Sequence, residues 1–149
     1  MALTVTTESI TLESASKIAQ AALAHGRALN MLPLVVAVLD PRGTLKAYLA
    51  EDGTSLLRFE IAFGKAWCAL GLGFGTRELA RRAAKGPLFA NALQALSSGK
   101  MIPVPGGVLI RNAAGAVVGS VGISGEISDN DELCAIHAIE FVGLRADPG

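Results

Sequence analysis

Arg58 and Lys65 interrupt the stretch "LLRFEIAFGKAWCALGLG" (residues 56 to 73), which is otherwise almost wholly apolar. Stripping water from an unpaired cation is costly, so charges set in such a run need partners. Read as a helix, the stretch places the two side chains nearly in line, seven residues apart. Ile61, Ala62 and Ala69 share their side, and Glu60 points the opposite way. Two aligned cations on a helix packed along both flanks make a receptor for a carboxylate. That carboxylate belongs either to a small ligand or to the protein itself, as an internal salt bridge. Snorkelling of the two long stems toward water is the remaining alternative.

"PVPGGVLIRN" is the second unusual stretch. Pro105 fixes φ just before Gly106 and Gly107, giving a rigid bend with bare backbone. Such a bend either offers N–H groups to a ligand or simply aims the chain into a strand at Val108. In "GSVGISGEISDNDE", Gly119, Gly122 and Gly125 thin out a strand and permit close approach by a helix, a subunit or a flat ligand. Glu126, Asp129, Asp131 and Glu132 follow, where a helix dipole favours acidic residues. Glu126 lies outside the helical turn and is the carboxylate freest for proton transfer. His25 falls on an apolar helical stripe, as a satisfied core residue or as a ligand. His137, three residues before Glu140, reads as a surface residue. Two histidines with no C-x-x-C or H-E-x-x-H spacing exclude the usual zinc sites. The acidic segment lacks the glycine and donor spacing of a calcium loop. "GLGFGT" lacks the last glycine of a dinucleotide fingerprint and follows a helix.

These residues need elements to carry them. "TLESASKIAQAALAHGRALN" reads as a helix with Thr11 at its N-cap. "PLVVAVLD" and "TLKAYLAE" read as strands joined by a hairpin turn at "PRG". A helix from about Ser55 to Leu72 comes next, then a short one with Thr76 as cap and Gly86 as stop. A third runs from Pro87 to Gly99. "GGVLIRN" and "AVVGSVGISG" form a second hairpin, and the last helix is capped by Asp129 with Glu132 in support. Hairpins rather than crossovers give an antiparallel sheet covered by helices, the α+β class. No repeat, linker or low-complexity segment divides residues 1–149, so the chain reads as a single domain.

Hydrophobic residues make up 51% of the 149 positions and charged residues 17%, a composition that favours a homo-oligomer. Thirteen basic and 13 acidic residues balance without runs of either sign, which argues against nucleic acid or an anionic membrane as partner. The opening "MALTVTTESI" carries no secretory pattern, and no uninterrupted apolar stretch is long enough to span a bilayer. Cys68 and Cys134 read as reduced core thiols of a cytoplasmic protein.

"TLESASKIAQAAL", "VVAVLDPRGTLKAYL", "IAFGKAWCALG", "PVPGGVLIR" and "VVGSVGISGEISDNDELCA" together resemble the GlcG/HbpS, or haem-degrading-domain, family over nearly the whole chain. That resemblance implies a profilin-like fold with a five-stranded antiparallel sheet flanked by helices, assembled into dimers or larger oligomers. Its fifth strand would be "KMIPV". It also implies that Lys65 matches the family's lysine and that Pro105, Gly106 and Gly107 match its P-G-G. Some members of the family bind haem, others are appended to cobalamin-metabolism proteins, and many accompany organic-acid or aromatic catabolism. Two expectations follow. The first is binding of a flat acidic ligand such as haem near a subunit boundary, with propionates on Arg58 or Lys65 and iron on His25 ahead of His137. The second is an enzyme moving protons on a small carboxylate, an isomerase or lyase. There Arg58 anchors the substrate, Lys65 acts as electrophile or base, and Glu126 shuttles the proton.

Overall fold

The computed structural model describes residues 8–149; the first seven, where most of the reading against a secretory signal rests, lie outside the described residues. Helix α1 (Leu12–Ala28) begins as expected, with the Thr11 hydroxyl accepting the Ser14 N–H at 3.1 Å. It is followed by β1 (Val35–Leu39) and β2 (Leu45–Ala50), then three helices: α2 (Arg58–Leu72), α3 (Thr76–Lys85) and α4 (Pro87–Leu96). A second hairpin, β3 (Gly107–Arg111) and β4 (Val117–Ser124), leads into α5 (Ser128–Phe141) and a short β5 (Arg145–Asp147). The strands form one antiparallel sheet in the order β2-β1-β4-β3-β5.

Strand alternation sorts the helices into two layers. Val36, Val38, Val108, Ile110, Val121 and Ile123 point toward α1 and α5 and form the main core with Ile18, Ala22, Ala135 and Ile139. Val35 and Ala37 point the other way, onto Ala62 of α2. The thinned strand serves that second contact. A Cβ on Gly122 would overlap the Ala62 carbonyl, so only glycine lets α2 lie this close. Ser120 then donates to the Ala66 carbonyl at 2.8 Å, stitching helix to sheet.

Four local expectations need correction. The fifth strand is β5, not "KMIPV": residues 100–104 form no ladder, because Pro103 and Pro105 carry no N–H to donate. Helix α2 starts at Arg58 rather than near Ser55, since residues 55–57 form a turn in which the Arg58 N–H bonds the Ser55 carbonyl. Thr76 is the first residue of α3, not its cap; its buried hydroxyl instead accepts the Gly107 N–H at 2.8 Å, tying α3 to β3. Helix α5 has Ile127 at its N-cap without a side-chain cap. Asp129 and Glu132 are drawn away from the helix end by Arg77 of α3. The two cysteines are free and buried in separate clusters. Among the described residues, no helix is long and apolar enough to cross a membrane.

Candidate functional site

Lys65 and Arg58 have different fates. One turn or more into α2, Lys65 points over the end of the sheet where β3 begins and β4 finishes. Its Nζ donates to Oδ2 of Asp131 at 3.0 Å and to the Ile123 carbonyl at 2.9 Å. Both side chains of the pair are 2% exposed. Asp131 belongs to α5, so the bridge clips the two helical layers together across the sheet end. Gly106, at φ 117°, clears the way: a Cβ there would sit 2.8 Å from the ammonium nitrogen. Burial pulls Lys65 below the ordinary lysine range, opposed by the attraction of Asp131. Burial likewise pushes Asp131 up, opposed by Lys65.

Arg58 sits at the first turn of α2, half-buried, and donates from Nη1 to the Ser124 hydroxyl at 3.2 Å. No carboxylate lies within ion-pair distance of it among the described residues; Asp131, which feels its charge, is committed to Lys65. Its guanidinium borders an open cleft of about 190 Å³ together with Leu32, Pro33, Thr54, Ser55 and Gly125. Leu32 in its lining is 62% exposed, and Leu56 and Leu57, next in sequence to the lining residue Ser55, are 90% and 65% exposed. A half-buried cation without an acid, beside a cleft of mixed polar and apolar lining, can pair with an anionic group.

The other expected site residues serve the scaffold. Glu126 is not a free carboxylate: its Oε1 accepts the Leu32 N–H at 2.9 Å and its Oε2 the Ile127 N–H at 3.0 Å. Those bonds hold its pKa below the usual range. The bend at Pro105 does not present its amides outward. Gly106 and Gly107 are buried, the Gly107 N–H goes to Thr76, and the Gly106 carbonyl accepts from Ile123. His25 lies on the opposite layer from Arg58 and Lys65, with the sheet between them. Its ring stacks on His137 with centroids 3.8 Å apart and planes 11° from parallel. Desolvation, then the neighbouring His137, lowers its pKa, so the imidazole is neutral at physiological pH.

Asp131 and Ser124 escaped the sequence reading as partners. Asp131 carries a signal, since it shares a helical stripe with Cys134, Ala135 and Ala138, all buried. An acid on an apolar stripe calls for a buried base, as Lys65 calls for an acid.

Over residues 10–140 the chain matches the family described as haem degrading protein HbpS-like. A Citrobacter freundii relative, described as an uncharacterized 15.0 kDa protein in the dhaT-dhaS intergenic region, is 33% identical over 131 residues. That alignment spans 88% of this chain and 90% of the relative. Among solved structures, the PduOC:haem complex is similar, with 26% identity, TM-score 0.82, and coverage of 91% of this chain and 96% of that one. The crystal structure of HbpS is likewise similar, at 30% identity, TM-score 0.81 and 95% coverage of each chain.

Proposed function

This chain belongs to the HbpS-like family, and from that premise we propose that it is a small-ligand-binding protein whose ligand is haem or a comparably flat acid. The observation that carries this reading is Arg58: a half-buried guanidinium with no acid within ion-pair distance among the described residues, bordering a cleft that Leu32 and Pro33 also line. A propionate supplies the missing charge, and a macrocycle supplies apolar area for Leu32 and Pro33. The similarity to a chain solved in complex with haem favours that ligand over other flat acids.

The donor set fits haem in its chemistry. His25 is a neutral imidazole and Arg58 a free cation. Because α1 and α2 lie on opposite faces of the sheet, His25 and Arg58 of one copy do not share a recess. The reading therefore draws the imidazole from one copy and the guanidinium from another, within a homo-oligomer. The low charge content and the exposed leucines support such association. Bound haem would supply iron-centred chemistry, while these residues bind and orient it. The buried free thiols support a reducing, cytoplasmic location. Proton-transfer catalysis gains nothing from this geometry, since Lys65 is enclosed by Asp131 and the Ile123 carbonyl, and Glu126 is held by backbone amides.

Titrating the apo-protein with hemin tests the reading. A saturable Soret band is expected, shifted or lost in His25→Ala. No saturable band in the wild-type chain overturns the haem reading.

A further inference from the structure

Helix α2 keeps one face partly open. It lies between the edge strand β2 and residues 100–102, which press on the helix at Gly64, where a Cβ would meet the Lys100 carbonyl at 2.6 Å. Along it Phe59, Phe63, Trp67 and Leu70 are half-buried, and their spacing of four, four and three sets them in one stripe. The chain's single tryptophan, its single tyrosine and two of its five phenylalanines gather here. Tyr48 stands edge-on to Phe59 with centroids 4.9 Å apart, and Phe59 lies 5.8 Å from Phe63. Aromatic residues in such a setting are typical of protein interfaces.

Two features of this face lack a counterpart within the chain, and each has its complement at the other end of the same face. Glu60 is exposed and joins no ion pair among the described residues. Seven residues on, the Lys100 ammonium stands 5.2 Å from the Trp67 ring centroid, likewise without a carboxylate among the described residues. Leu56, in the turn before the helix and four residues ahead of Glu60, is 90% exposed. At the far end Trp67, Leu70 and Gly71 join Pro41 and Arg42 around an open cleft of about 220 Å³. A Cβ on Gly71 meets nothing within 4 Å, so that cleft is bare.

Within one copy neither pair can meet. Glu60 and Trp67 are about 10 Å apart along the helix, and Leu56 and Gly71 about 22 Å. Both pairs nevertheless share one midpoint, between Phe63 and Gly64. A two-fold axis through that point, perpendicular to α2, carries Glu60 to the partner's Lys100 and Leu56 to the partner's cleft. Phe63 then meets the partner's Phe63 at the axis.

We propose that this face of α2 is a self-complementary docking surface for a second copy of the chain. Two Glu60–Lys100 ion pairs set its register, and each Leu56 fills the cleft opposite. Arg58 and Trp67, nine residues apart, project to opposite sides of the helix, and His25 lies beyond the sheet. The interface is therefore separate from the haem reading and stands whether or not haem binds.

Sedimentation velocity of the hemin-free chain tests it. Wild-type protein is expected to form a dimer or an even multiple of one. Glu60→Lys and Lys100→Glu each set like charges together at both ends of the interface, and each is expected to weaken this association roughly tenfold or more. Glu60→Lys/Lys100→Glu reverses both partners and is expected to restore it. Leu56→Asp, which removes the knob, is expected to halve the copy number. All three positions are exposed, so circular dichroism is expected to stay unchanged in every variant. A monomeric wild type overturns the proposal. So does wild-type association in Leu56→Asp or in either single reversal, and so does a double reversal no tighter than the single ones.

Discussion

Asp131→Asn removes one half of the buried clip between α2 and α5. Lys65 then keeps its ammonium 2% exposed with the Ile123 carbonyl as its remaining acceptor. Breaking a buried pair from one side costs about 3–5 kcal/mol, because the surviving charge is uncompensated. For a chain of this size, a urea m-value of roughly 2 kcal/mol/M turns that into a midpoint lowered by about 1.5–2.5 M. The loss carries a pH signature. Burial already draws Lys65 below its ordinary 10.5, and the attraction of Asp131 is the main force opposing it. Without that attraction the folded-state pKa falls further, so the folded chain binds fewer protons than the unfolded chain between that lower value and 10.5. Stability must therefore rise with pH across this window, and the variant should recover part of its deficit between pH 7 and pH 9.5. Lys65→Met/Asp131→Leu removes both charges and should lie within about 2 kcal/mol of wild type. Urea unfolding at the two pH values measures all of this. A wild-type midpoint for Asp131→Asn at pH 7, or a double variant as weak as the single one, refutes the reasoning.

The same substitution should act in opposite directions at two glycines. Gly122→Ala drives a methyl into the Ala62 carbonyl and should cost about 3 kcal/mol or more, lowering Tm by roughly 6–12 °C. Gly71→Ala, with open space around its Cβ inside a helix, should raise Tm by about 2 °C; a drop at Gly71 or none at Gly122 contradicts the packing described. Glu126 has a depressed pKa, so its contribution is present above about pH 4.5 and lost as pH falls through the lower folded value. Glu126→Gln should thus be less stable than wild type at pH 7, with the gap closing in acid, as thermal melts across pH will show. His25 also has a depressed pKa, so wild-type stability should fall as pH drops below 6.5. His25→Phe, which keeps a ring against His137, should flatten that slope in melts from pH 8 to pH 5.

Periodicity and turn chemistry made most of the fold legible. Val35–Leu39 and the glycine-bearing β4 stand out because buried antiparallel strands need continuous apolar residues and close helix packing needs glycine. Residues 145–147 were missed because three residues of "RAD" carry no periodicity; pairing with β3 and the Arg111–Asp147 bridge make them a strand. The charged stretch of α2 was legible as a question, and its two cations divide the answers. Lys65 has the internal salt bridge, whereas Arg58 has no acid within ion-pair distance among the described residues and is the cation we propose for the ligand. The sequence could not apportion them, because which of four clustered acids turns inward depends on α5 meeting α2 across the sheet end. Of the two readings of the Pro105 bend, the sequence could not choose for a related reason: the Thr76 hydroxyl that accepts the Gly107 N–H and the Ile123 N–H that donates to the Gly106 carbonyl come from distant segments.

Arg58 bears the weight of the ligand-binding account, and the hemin dissociation constant of Arg58→Gln against wild type tests it most directly. A charge-assisted contact to a propionate is worth about 1.5–3 kcal/mol, so binding should weaken roughly 10- to 100-fold. An affinity unchanged within experimental error would contradict the account.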